Sequence, residues 1–237
     1  MTGTAPIAVA LDSRDLETAS GWARAVEPHV STLKIGLELF CRFGPESVAS
    51  VRGGSRIGLF LDLKLNDIPN TVAGAVRAVA RLRPTYLTVH ALGGRAMISA
   101  AAEQLPEGMI AAVTVLTSLD DADLTEFGIT GSSQDAVRRL AVMSVSAGAR
   151  AIVCSALEVA AVRAEVGPDI VLITPGVRSA GAAVQDQARV ATPEEALASG
   201  ADLLVIGREI TGAADPGAAA ASLASALRRG SRAQPAT

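Results

Sequence analysis

Lysine is almost missing from this sequence. Among 237 residues only Lys34 and Lys64 are lysine, and arginine supplies the other 19 of the 21 basic residues. Asparagine is as scarce, at Asn66 and Asn70 alone. Aromatic residues make up 3%, too few for a base-stacking platform that would hold single-stranded nucleic acid. A basic excess is missing too: 24 acidic residues outnumber the basic ones and leave a formal net charge of −3, which argues against nucleic acid as a partner. No apolar run reaches the roughly 18 residues that a membrane span requires, so no membrane partner is expected. The two cysteines, Cys41 and Cys154, are too few and too far apart for a disulfide scaffold or a zinc site. Residues 1–6 carry no basic segment leading into a long apolar stretch. No signal peptide is therefore expected, and the expected location is cytoplasmic with both thiols reduced.

What is present is apolar and ordered. Hydrophobic residues make up 49%, which excludes a disordered chain. Short apolar runs alternate with helical patterns. Strands are predicted at Ile7–Leu11, Thr32–Gly36, Ile57–Leu63, Tyr86–His90, Met109–Val115, Ala151–Ser155, Ile170–Thr174 and Leu203–Gly207. Several are continuous apolar runs, the pattern of parallel strands buried on both faces. Helices are predicted at Asp15–Val26, Pro45–Arg52, Pro69–Leu82, Arg95–Gln104, Gln134–Ala147, Ala156–Glu165, Pro193–Ser199 and Pro216–Arg229. Thr192 precedes Pro193-Glu194-Glu195, a capping residue followed by proline and first-turn acids. Two long loops remain, Leu116–Ser133, with room for one short helical turn, and Thr174–Ala191.

Eight βα units in about 230 residues is the count of a (β/α)8 TIM barrel. A doubly wound sheet would carry a glycine-rich turn after its first strand, and Leu11-Asp12-Ser13-Arg14 contains no glycine. The expected organisation is one α/β barrel domain over residues 1–229, with residues 230–237 as a disordered tail.

A barrel places its active site at the C-terminal ends of its strands. Asp12 ends the first strand, Lys34 lies on the second, and Asp62 and Lys64 end the third. Asp62 and Lys64 are two residues apart, so a strand turns them to one face and turns Leu61, Leu63 and Leu65 to the other. A charged pair facing a barrel mouth is costly unless it is neutralised. Lys34 and Asp67 are expected to complete an alternating set of charges. A structural ion pair plugging the barrel end is the plainer reading of Asp62 and Lys64. Both lysines of the chain falling on this one list favours chemistry, because an ammonium can yield a proton and a guanidinium in practice cannot. Asp12 taken alone reads as a helix cap, as does Thr117-Ser118-Leu119-Asp120. His90 at a strand end reads as structural. Pro175-Gly176-Val177-Arg178 and Gly207-Arg208 follow strands seven and eight, where barrel enzymes frequently bind phosphate. Glycine allows close backbone approach there, and arginine grips phosphate bidentately.

The run Asp62-Leu63-Lys64-Leu65-Asn66-Asp67-Ile68-Pro69-Asn70-Thr71-Val72 resembles the signature of the orotidine 5′-phosphate decarboxylase family. The likeness extends to Ala10-Leu11-Asp12, Leu33-Lys34-Ile35-Gly36, Thr117-Ser118, Pro175-Gly176-Val177-Arg178, the 186–193 segment, and Ile206-Gly207-Arg208. Leu65 and Asn66 depart from it, standing where many members have an aromatic residue and a histidine. The resemblance implies a homodimer that needs no cofactor and no metal and converts orotidine 5′-phosphate to uridine 5′-monophosphate and carbon dioxide. It implies that Lys64 protonates C6 and that Asp62 sits beside the departing carboxylate. Asp67 and Thr71 would be offered to the neighbouring subunit. Lys34 and Asp12 would meet the ribose hydroxyls, Thr117 the pyrimidine ring, and Arg178, Gln187, Gly207 and Arg208 the phosphate. Two other readings stay open: a magnesium-dependent barrel acting on a keto-sugar phosphate, and a catalytically silent nucleotide-binding barrel.

Overall fold

The computed structural model describes residues 4–178 and 191–233. Its strands are β1 (Ala5–Ala10), β2 (Val30–Gly36), β3 (Gly58–Leu65), β4 (Tyr86–His90), β5 (Met109–Val113), β6 (Ala151–Val153), β7 (Val171–Pro175) and β8 (Leu203–Ile206). They pair in chain order, all parallel, and β8 returns to β1 to close a barrel. Each strand starts and ends within two residues of its predicted position.

Among the described residues the helices are α1 (Leu16–Val26), α2 (Leu37–Phe43), α3 (Pro45–Arg52), α4 (Pro69–Ala80), α5 (Gly94–Glu103), α6 (Asp121–Glu126), α7 (Ser133–Ser146), α8 (Val159–Val166), α9 (Pro193–Ala198), α10 (Arg208–Thr211) and α11 (Pro216–Ala233). A 3₁₀ turn, Ala91–Gly93, leads into α5. The sequence reading lacked α2 and α10, each of which starts directly on the residue after a strand-end glycine. The short α6 falls inside the predicted Leu116–Ser133 loop. The last helix passes the expected boundary at Arg229 and runs to Ala233, so the predicted tail starts as helix.

Two apolar layers result from strand alternation. Leu33, Ile35, Leu59, Leu61, Leu87, Val89, Ile110, Ile152 and Leu172 point outward and are buried under the helices. Inside the barrel, Phe60 packs with Ala8, Ala111, Ala151, Ile173 and Leu203. Phe60 is the fully buried ring of this inner layer, and it meets Tyr86, which packs against the same layer, edge-on at 5.8 Å between centroids. Burying such a side chain contributes about 1.5–3 kcal/mol. The inner layer closes the barrel below Asp62 and Lys64 and forms the floor of the site.

Candidate active site

Strand register brings the charges together. Ala10 pairs with Lys34, and Gly36 with Asp62, so β1, β2 and β3 carry Asp12, the Lys34 ammonium and Asp62 to one level of the rim. Lys34 Nζ lies 3.3 Å from Asp12 Oδ1 and 3.5 Å from Asp62 Oδ2. Lys64 Nζ lies 2.8 Å from Asp62 Oδ1. The result is an alternating chain, Asp12–Lys34–Asp62–Lys64. Only 8% of the Lys34 side chain is exposed, against 57% for Asp12. The cap expected of Asp12 belongs instead to Asp15, whose carboxylate accepts from the Thr18 amide at 2.7 Å.

Asp62 is the hub. Burial would raise its pKa, but the charges of Lys34 and Lys64, with hydrogen bonds from Lys64 and Thr88, outweigh burial and hold the carboxyl below the usual carboxylate range. Asp62 is therefore ionised near neutral pH and pairs with both lysines. His90 lies two residues beyond Thr88 on β4. Burial first, then the Lys64 charge, pushes its pKa down, with Asp62 opposing.

Asp67 does not join this chain of charges, contrary to expectation. The strand ends at Leu65, which pairs with Val89, and residues 66–71 are all exposed. Asp67 Oδ1 accepts from the Ile68 amide at 2.7 Å, and Asp67 has no ion pair among the described residues. Thr71 is exposed in the first turn of α4.

Beside Lys64 lies a cavity of about 210 Å³. Asp62, Lys64 and Phe60 line it from β3; Val113, Val115, Leu116 and Thr117 from β5 and the loop after it; Val153, Cys154, Pro175 and Val205 complete it. Thr117 thus lines the same cavity as Lys64. The Asp120 side chain caps α6, accepting from the Ala122 and Asp123 amides, so the cap expected in this segment lies three residues beyond Thr117. Cys154 is buried, and burial pushes its thiol pKa far up, which leaves it an inert wall residue.

The two arginine loops leave the same rim, because Pro175 on β7 pairs with Val205 on β8. Gly176 takes a φ of 80°, a left-handed turn that favours glycine. The Arg178 amide donates to the Ala191 carbonyl at 3.1 Å, tying the two described ends of this loop. Arg208 opens α10 immediately after Gly207. Gln187 lies outside the described residues.

Two contributors escaped the sequence reading. A methyl group on Gly36 would sit 2.7 Å from Asp12 Oδ1 and 3.1 Å from Lys34 Nζ, so position 36 must be bare for that pair to form. The hydroxyl of Thr88 bonds to Asp62 and to the Lys64 backbone. The sequence signals were placement on inward-facing strand positions near the rim and, for Gly36, its place in the run Leu33-Lys34-Ile35-Gly36.

Fold and site together define a barrel enzyme with a chain of lysines and aspartates beside a largely apolar cavity. The chain belongs to the orotidine 5′-phosphate decarboxylase / HUMPS family, whose model matches residues 5–223. A protein from Thermobifida fusca (strain YX) named orotidine 5′-phosphate decarboxylase is 69% identical over 225 residues, 95% of this chain and 97% of that protein. One of the same name from Frankia casuarinae is 54% identical over 98% of this chain and 90% of its own length. The crystal structure of orotidine 5′-phosphate decarboxylase from Lactobacillus acidophilus superposes with a TM-score of 0.82 at 34% identity, covering 94% of this chain and 99% of that one.

Proposed function

We infer that the protein decarboxylates orotidine 5′-phosphate to uridine 5′-monophosphate and carbon dioxide, the last step of pyrimidine nucleotide synthesis, with Lys64 as the proton donor. The observation that carries this reading is the Lys64 ammonium held 2.8 Å from Asp62 at the edge of an apolar cavity, in a chain 69% identical to a protein of that name.

The chemistry follows from the charges. When the C6–carboxyl bond breaks, carbon dioxide leaves and the electron pair stays on C6 in the plane of the ring. The adjacent ammonium stabilises that pair electrostatically, most strongly where water is excluded. The Lys64 proton then passes to C6, forming the C–H bond, and the neutral amine regains a proton from solvent. Asp62 pairs with the Lys64 ammonium and aims it. The substrate carboxylate, set beside Asp62, is repelled in the ground state, a contribution whose weight is disputed in general. Thr117, which lines the same cavity, meets the pyrimidine ring. Lys34 and Asp12 meet the ribose hydroxyls. Arg178, Gln187, Gly207 and Arg208 hold the phosphate.

No metal is needed on this reading. Oxygens of Asp12 and Asp62 already accept from ammonium groups, which occupy the place a divalent cation would take. The partner is a second copy of the chain. Asp67 and Thr71 stand exposed beside Ile68, which is 67% exposed; Leu92 and Leu37 are also exposed at the C-terminal ends of the neighbouring β4 and β2. An apolar rim of this kind, with a carboxylate beside it, suits a shared site in which Asp67 completes the partner's set of charges.

The test is the loss of orotidylate absorbance with purified protein, with and without EDTA. Turnover unaffected by the chelator is expected. Turnover that vanishes with EDTA and returns with Mg²⁺ would move the reading to a keto-sugar phosphate substrate.

A further inference from the structure

Lys64 is one of two non-glycine described residues with positive φ, at 48°. An L-residue rarely adopts that conformation, and it persists only where its surroundings enforce it. The cause is visible in the register. Leu61 pairs with Leu87 and Leu65 with Val89, so three residues of β3, Asp62 to Lys64, stand opposite the single residue Thr88 of β4. The bulge turns the Lys64 amide out of the ladder, where a buried N–H still needs an acceptor.

Thr88 supplies it. The Lys64 amide donates to Thr88 Oγ1 at 2.8 Å. Thr88 Oγ1 in turn donates to Asp62 Oδ1 at 3.0 Å, the same oxygen that accepts from Lys64 Nζ at 2.8 Å. The proton assignment is forced. An amide N–H cannot accept and an ionised carboxylate cannot donate, so the one hydroxyl proton must point at Asp62. The ring closes on itself: Lys64 amide, Thr88 hydroxyl, Asp62 carboxylate, Lys64 ammonium. Thr88 is completely buried, so no bulk water stands ready to replace its hydroxyl.

We propose that Thr88 is a positioning residue for the reaction, fixing both ends of Lys64: the backbone directly and the ammonium through Asp62. This rests on the reading of Lys64 as proton donor. Threonine suits the task because its branched Cβ restricts χ1, which aims the hydroxyl at both partners at once.

Thr88→Val keeps the shape and removes the hydroxyl; Thr88→Ser keeps the hydroxyl. The assay measures kcat for orotidylate and, separately, the dissociation constant for uridine 5′-monophosphate. Misplacing a reacting group by about 1 Å can cost about 100-fold in rate. The valine variant should lose roughly that factor in kcat. Its product affinity should stay within about threefold, since each 1.4 kcal/mol of binding is tenfold and the product contacts are left in place. Serine should restore most of the rate. The acid limb of the valine variant's kcat profile should also move to higher pH, because Asp62 loses a hydrogen bond that stabilises its charged form. A merely structural Thr88 would instead lower product affinity and kcat together and leave the acid limb in place. If the valine variant does not fold, Thr88→Cys carries the test, since a thiol fills the space but is a weak donor and acceptor. Wild-type kcat in a folded Thr88→Val or Thr88→Cys protein overturns the proposal. Lys64→Ala is measured in parallel: wild-type turnover there overturns the reading of Lys64, and this proposal with it.

Discussion

An ammonium differs from a guanidinium in two ways that matter at position 64: it is compact, and it releases a proton at accessible cost. Lys64→Ala should therefore abolish turnover while the barrel stays folded. Lys64→Arg should fail as well, although it keeps the charge. Steady-state decarboxylation, with circular dichroism as the check on folding, tests both; near-normal turnover by either would remove Lys64 from the chemistry. His90 offers a second reading at this scale. Its folded pKa lies below the ordinary value of about 6.5. Between those two values the unfolded chain binds a proton that the folded chain refuses. Stability is thus full above about pH 6.5 and declines as the pH falls towards the folded pKa, below which the loss is complete. Thermal melts of wild type and His90→Asn at pH 8 and pH 5 check this: the wild type should lose more on acidification than the variant.

Elements were legible wherever a local pattern sufficed. Thr192 caps α9, as the Thr-Pro-Glu-Glu run suggested, and Glu195 reciprocates to complete a capping box that the sequence reading lacked. Thr192→Ala should cost about 0.5–2 kcal/mol, read as a Tm drop of roughly 2–4 °C per kcal/mol in a chain of this size. An unchanged Tm would show that the cap adds nothing to the folded barrel. The apolar runs of β3 and β8 announced buried parallel strands, and Asp62 and Lys64 could be placed on one face by alternation alone. Elsewhere the signal was not local. Helix α2 starts straight from Gly36 with no capping side chain, so nothing marked it. Thr88 reads as an unremarked polar residue in a short strand; the role proposed for it depends on a bulge in the neighbouring strand. Asp67 looked like a member of the charge set because it is close in sequence, but the chain leaves the sheet before reaching it.

For the whole molecule, the exposed Asp67 makes a sharp expectation. If each site takes Asp67 from the partner, mixing inactive Lys64→Ala with inactive Asp67→Ala should restore part of the activity, because one site of each hybrid dimer has both native residues. Demonstrated subunit exchange without recovery would mean that each site is built from one chain. The phosphate loops give another. Binding energy gathered far from the breaking bond can be expressed in the transition state. Arg208→Ala should therefore lower kcat/KM for orotidylate by about 2–5 kcal/mol, the scale for losing one partner of a desolvated charge pair. Orotidine, which has no phosphate, should be affected far less. An equal loss for both substrates would make Arg208 a structural residue of the rim.

The cavity wall has one more implication. Its charged lining, Asp62 and Lys64, comes from β3, whereas most of its apolar outline comes from β5 to β8 and the loops after them. These are two separate, contiguous blocks of the chain. Substitutions at Val113, Val153 or Val205 can redraw the outline of an acceptable ring without touching a single charged group. In evolutionary terms, most of the cavity's apolar outline and its charged pair are written in different stretches of the gene. A lineage can drift in the first while selection holds the second still.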